Sequence, residues 1–269
     1  MVKCQVVMDA LERIAPKRLA EDWDNPGLLV GAFNQDIRKI LVCLDVSDNV
    51  VEQAIAEGAN MIVAHHPLIF KGLKKIRTDL PLGARLQQLL KHDIAVAAAH
   101  TNLDIAVGGV NDVLAEAIGL SKLSTFVITD QQEDGTVESL GRIGSLPAPM
   151  AVEDFAKQVR EALPAEHVRL VHAGARPVRK VALCSGSGAE FIQKAAFMGA
   201  DVYVTGDVKY HEAQQAVEMG IHVIDGGHFG TEFPVAAVLR DRLAGELSGL
   251  KGTVEVVTDT LSKDIFSVI

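Results

Sequence analysis

Residues 38–66, RKILVCLDVSDNVVEQAIAEGANMIVAHH, and residues 179–207, RKVALCSGSGAEFIQKAAFMGADVYVTGD, superpose without a gap. The pairs Arg38/Arg179, Lys39/Lys180, Cys43/Cys184, Ala54/Ala195, Gly58/Gly199, Ala59/Ala200 and Val63/Val204 are identical, seven in 29 positions. Each copy runs from an apolar strand-like stretch through a helix-like stretch to a glycine and a second apolar strand. This reads as an internal duplication of a strand-helix-strand unit. Ser47 or Asp48 is the expected cap of the first helix and Gly58 its stop.

Outward from the first copy, the sequence predicts a helix over 83–92, a strand over 94–100 and a helix over 110–118. His100-Thr-Asn-Leu-Asp104 then faces His228-Phe-Gly-Thr-Glu232, so both halves end a third strand with a histidine, three residues and a carboxylate. The segment 121–178 differs in character. TFVITD and residues 136–143 flank a turn at Asp134-Gly135, a helix is expected over 152–163, and VRLVHA reads as a strand. The expected fold is α/β, two intertwined repeats with mixed sheets. The first repeat domain takes residues 1–120 with 233–269, and the second takes 121–232 with an α+β elaboration at 121–178.

Length and composition narrow the function classes. The 269 residues are 48% hydrophobic and 23% charged, which suits a packed globular chain rather than a disordered one. Apolar runs such as 61–64 and 94–99 fall far short of the roughly 18 residues that cross a bilayer. Asp9, Glu12 and Arg13 break the apolar run that a signal peptide needs, so the N-terminus reads as an amphipathic helix and the expected location is cytoplasmic. A net charge of −9 with no basic run beyond Lys74-Lys75 disfavours binding nucleic acid through a basic face. Cys4, Cys43 and Cys184 are widely separated, odd in number and set in apolar surroundings, so they read as buried and reduced.

The chemistry concentrates at strand exits, where ligands of α/β sheets bind. His65 and His66 end a strand just before Pro67. Adjacent strand residues point to opposite faces, but at the exit they can diverge and each take one ion of a pair. The plain alternative is one core and one surface histidine. Asp104, His228 and Glu232 shift the balance toward a two-metal centre, with Gly226 and Gly227 allowing a tight backbone turn into it. Glu232 or Asp104 is the expected bridge, because a carboxylate has two oxygens to share. Nitrogen and oxygen donors without sulfur suit two divalent ions among zinc, iron, manganese, cobalt and nickel. His100 is open between orienting a carboxylate, ligating directly and packing. Lys209, Tyr210 and His211 either face the same cavity as anion-binding or proton-transfer groups, or begin a helix with Asp207 as its cap. Gln215 stands where a zincin needs its second histidine, which removes that motif. Ser185-Gly-Ser-Gly188 offers a weak phosphate cradle, and Trp23-Asp-Asn-Pro-Gly27 a turn whose tryptophan is expected in the core.

Together the stretches WDNPGLLVG (23–31), AHHPLIFKG (64–72), HTNLD (100–104), TGDVKYHEAQ (205–214) and GHFGTE (227–232) resemble the Nif-three-like dinuclear metal centre family, the GTP cyclohydrolase 1 type 2 homologs. The resemblance implies a duplicated α/β fold, a toroidal homohexamer with sites facing an inner cavity, and a dinuclear centre. Carried over by position, the family's ligands fall on His65, His66, Asp104, His228 and Glu232. Segment 121–178 is too short for the large regulatory insertion of some members. The expected function is a metal-dependent hydrolase of a nucleotide or phosphoester, with Lys209 and His211 assisting on a small-molecule substrate. The competing class is a metal-binding regulatory, chaperone-like or structural ring protein without turnover.

Overall fold

In the computed structural model, which describes residues 1–249 and 252–268, the chain opens with β1 (Val2–Lys3) and α1 (Cys4–Ile14). α1 buries Cys4, Val7, Ala10, Leu11 and Ile14, the three- and four-residue spacing of a single helical face. β2 (Gly27–Val30) and β3 (Asp36–Ile37) follow, with β3 antiparallel to β1. The first copy of the repeat is β4 (Lys39–Cys43), α2 (Asp48–Glu57) and β5 (Met61–Ala64), the two strands parallel. α2 starts where the Ser47 hydroxyl accepts the N–H of Val50 at 3.3 Å. It stops at Gly58, whose φ of +69° suits a residue without Cβ. α3 (Pro81–Lys91) leads into β6 (Ala95–Ala98), parallel to β5, and then α4 (Thr101–Ile105).

After α5 (Val110–Ala117), a long hairpin joins β7 (Ser121–Gln131) to β8 (Val137–Met150), turning through Gly135 at φ +88°. α6 (Val152–Ala162) and β9 (Arg169–Val171) precede the second copy, β10 (Val178–Leu183), α7 (Ile192–Phe197) and β11 (Val202–Thr205), again with parallel strands. α8 (Tyr210–Met219), β12 (His222–Asp225) and α9 (His228–Glu232) complete that half. α10 (Val235–Leu247) and β13 (Glu255–Thr258) end the order.

The chain forms two compact units, Met1–Ala106 with Ala236–Lys263, and Val107–Val235 with the residues from Asp264 on. The first unit's main sheet runs β13-β4-β5-β6-β2, parallel except for β2. The second runs β7-β8-β10-β11-β12-β9, with its three central strands parallel. In the second unit the twofold alternation of strands is explicit. Val181, Leu183, Val202, Val204 and Ile224 pack with Phe155 and Val159 of α6 and Leu114 of α5. Ala182, Cys184, Tyr203 and Val223 pack on the other face with Ile192 and Ala195 of α7 and Ala216 of α8. Both faces are thus covered, which explains the nearly continuous apolar strands.

The duplication extends to its polar fastenings. Asn60 Oδ1 accepts the N–H groups of Arg38 and Lys39, and Asp201 Oδ2 accepts those of Arg179 and Lys180. Backbone bonds Asn60 N–H to the Lys39 carbonyl and Asp201 N–H to the Lys180 carbonyl are 3.0 and 2.8 Å. All three cysteines are buried, and among the described residues none forms a disulfide. Among the described residues, no helix is long and apolar enough to cross a membrane.

Candidate metal centre

Parallel strands deliver their ends to one edge, and the first unit loads that edge with imidazoles. His65, wholly buried just past β5, donates from Nδ1 to the Ala99 carbonyl at 2.9 Å. A carbonyl only accepts, so in the neutral ring Nε2 keeps the lone pair. That Nε2 lies 3.6 Å from Asp104 Oδ1 on α4. The Nδ1 atoms of His66 and His100 lie 2.8 Å from carboxylate oxygens of Asp45 and Asp24 respectively. Each of His65, His66 and His100 offers a ring nitrogen within 4.8 Å of the others.

The second unit repeats the device. His228 Nδ1 is 2.7 Å from Asp207 Oδ2, and its Nε2 is 3.1 Å from Glu232 Oε2 one turn along α9. Four imidazoles therefore have Nδ1 held by an oxygen acceptor and Nε2 left as a donor atom. In two of them a carboxylate oxygen stands beside that Nε2. This is how proteins fix metal-binding histidines in tautomer and orientation, and the donor set fits a divalent cation of nitrogen and oxygen preference.

Local backbone chemistry makes room for the carboxylates. Gly186 adopts φ +59°, and a Cβ there would overlap Glu232 Oε1. A Cβ at Gly206 would come within 2.8 Å of the Gly186 carbonyl and the His228 nitrogen. Buried Asp225 at the end of β12 accepts from Val208 N–H at 3.0 Å, from Gly227 N–H at 2.9 Å and from Arg169. It thereby ties two strand exits together. The Ser185–Gly188 loop does not offer a phosphate cradle. Its amides at Ser185, Gly186 and Gly188 donate to Asn111, Thr231 and Thr205 at 2.9, 3.0 and 3.1 Å.

Three carboxylates that hold these imidazoles escape the sequence reading in that role: Asp24, Asp45 and Asp207. Burial pushes the Asp24 carboxyl up, but hydrogen bonds from His100 and Thr101 outweigh it and hold the group down at about 2. The turn carrying Asp24 leaves Trp23 59% exposed, so that side chain is not in the core. Asp207 does not cap α8. The N–H of Lys209 goes to Glu212 at 2.7 Å, and Asp207 turns to His228 from a backbone at φ +56°. Lys209 and His211 are exposed at the start of α8, with the His211 ring edge-on to Tyr210 at 5.4 Å.

Known proteins share this architecture. A GTP cyclohydrolase 1 type 2 homolog of Clostridium perfringens is 34% identical, with 100% of both chains aligned. A Halalkalibacterium halodurans homolog of the same name is 30% identical, with 98% of each chain covered, across an alignment of 367 residues that exceeds the 269 here and so contains an insertion. The crystal structure of a Bacillus cereus protein related to NIF3 superposes with a TM-score of 0.92 at 30% identity, covering 100% of this chain and 99% of that one. The Duf34/NIF3 (NGG1p interacting factor 3) model matches residues 2–264, and the chain belongs to that family.

Proposed function

We propose that His65, His66, Asp104, His228 and Glu232 hold two divalent metal ions, and that the protein is a metal-dependent hydrolase of a nucleotide or another phosphoester. The single observation that carries the reading is the common state of the imidazoles, each with Nδ1 bound to a protein oxygen. Ions held there would supply activation of water near neutral pH and neutralisation of developing negative charge. The chain's own residues do the rest. Asp45 and Asp207 lock His66 and His228 in one tautomer, and the Ala99 carbonyl does so for His65. His100, fixed by Asp24, brings a third ring nitrogen within 4.8 Å of those of His65 and His66. Lys209 and His211 are the groups for anion binding and proton transfer. The names of the relatives favour a purine nucleotide among substrates. A cytoplasmic homohexamer belongs to the same proposal, and sedimentation as six copies of the 28.8 kDa chain checks it.

The test is to purify the protein with its metal retained, then compare it with Asp104→Ala. Elemental analysis is expected to find two ions per chain, fewer in the variant, and turnover of GTP or a generic phosphodiester is expected to disappear with them. Metal-free protein after careful preparation overturns the site. A ring that dissociates in the variant, with no turnover beforehand, overturns the hydrolase and leaves the ions a structural role.

A further inference from the structure

Trp23 and Phe70 have no part in the chemistry above, yet both are exposed, at 59% and 42%. Exposed aromatic rings occur elsewhere on the chain, at Phe197 and Tyr210 for example, so exposure alone decides nothing. Position does. Trp23 and Phe70 lie 5.8 Å apart and meet the His100 ring edge-on at 6.0 and 6.2 Å.

The backbone beside both rings is also held in place. Asp24 ties the Trp23 turn to His100 and to the Thr101 N–H, and Asn25 Nδ2 donates to the Ile69 carbonyl at 2.6 Å, next to Phe70. Aromatic side chains on a fixed backbone have only two torsions to order on binding, so the entropic cost of stacking on them is low. The segment that follows is cationic: Lys71, Lys74 and Lys75 are exposed in a chain of net charge −9. Aromatic surface beside polar donors, with positive charge adjoining, is the composition of a site for a planar ring carrying an anion.

We propose that Trp23 and Phe70 form a stacking platform for the base of a nucleotide, with Lys71, Lys74 and Lys75 drawing its phosphate. The inference rests on the reading of the histidine cluster as the reaction centre for a small molecule. It decides between ring-bearing and ring-free phosphoesters. Stacking on an aromatic side chain alters affinity by roughly five- to 150-fold.

Trp23 is the sole tryptophan, so its emission reports on this corner alone. Metal-replete full-length protein is titrated with GMP and with ribose 5-phosphate, which share a phosphate and differ by the base. GMP is expected to quench Trp23 saturably and ribose 5-phosphate hardly at all. Phe70→Leu is expected to weaken GMP on the order of tenfold. Trp23→Leu, followed by calorimetry, does the same, and both variants keep the wild-type metal content. Replacing the three lysines by alanine weakens GMP but not guanosine. Equal binding of the two ligands, no binding of GMP, or unchanged GMP affinity in both aromatic variants overturns the platform. A change of oligomeric state in Trp23→Leu, with no GMP bound by the wild type, assigns the surface to a second copy and also overturns it. The two readings fail separately. Saturable quenching without turnover removes the hydrolase and keeps the platform, whereas GTP hydrolysis unaltered by both aromatic substitutions removes the platform and keeps the hydrolase.

Discussion

Asp207 reaches His228 from a left-handed backbone that aspartate and asparagine tolerate better than most residues. Asp207→Asn therefore keeps the turn and removes the carboxylate. Metal affinity is expected to fall by about 10–100-fold, the usual effect of losing the partner that orients a histidine, and chelator competition measures it. Gly186→Ala adds two penalties at one point, a side chain at φ +59° and an overlap with Glu232. A loss of at least about 1–2 kcal/mol in urea unfolding is expected from the backbone alone, with metal content falling as Glu232 shifts. These partners mark the limit of legibility in the sequence. His65, His66, Asp104, His228 and Glu232 declare themselves as donor-type residues at strand exits, and the structure sets His65 beside Asp104 and His228 beside Glu232. Asp24 and His100 are 76 positions apart in sequence, and no local pattern encodes such a pairing. Asp207 precedes a helix, so its neighbours suggest a cap, and only the approach of α9 gives the carboxylate its partner.

The repeated elements show how a duplication diverges while keeping its fastenings. Asn60 both accepts from Arg38 and Lys39 and donates from Nδ2 to the Asp36 carbonyl at 2.7 Å, whereas Asp201 only accepts. Asn60→Asp puts a carboxylate against a carbonyl at a buried site, and a cost of about 1–3 kcal/mol is expected in denaturant titration. Asp201→Asn retains an accepting oxygen and is expected to stay within about 0.5 kcal/mol of wild type. Most of the elements were readable because strands and helices here follow their own periods, and Ser47, Gly58 and the Asp134-Gly135 turn act locally. The second copy's helix was less so. α7 spans six residues against ten in α2, because a 3-10 turn at Ala189–Phe191 takes the place of its first turn. Gly188 sits too close to Thr205 and the Tyr203 hydroxyl for a side chain, a tertiary reason invisible in the sequence.

For the molecule as a whole, one histidine sets a response to acid. His222 is buried in β12, and its Nδ1 accepts the Ala173 N–H at 3.0 Å, so a proton there would oppose donor to donor. Burial first, and the neighbouring His172 next, lower its pKa below the ordinary 6.5. The unfolded chain then binds the proton more readily, so stability falls as pH drops through about 6.5 and levels off below the lowered value. Thermal unfolding between pH 7 and 5 is expected to show a smaller decline in His222→Gln than in wild type. The division of the chain carries a different consequence, for the order in which it is made. Every strand of the second sheet has been synthesised by residue 225, but the first sheet waits for β13 to cover β4. A nascent chain paused in between exposes the hydrogen-bonding edge of Lys39–Cys43, so synthesis stalled before Glu255 is the moment of greatest vulnerability to aggregation.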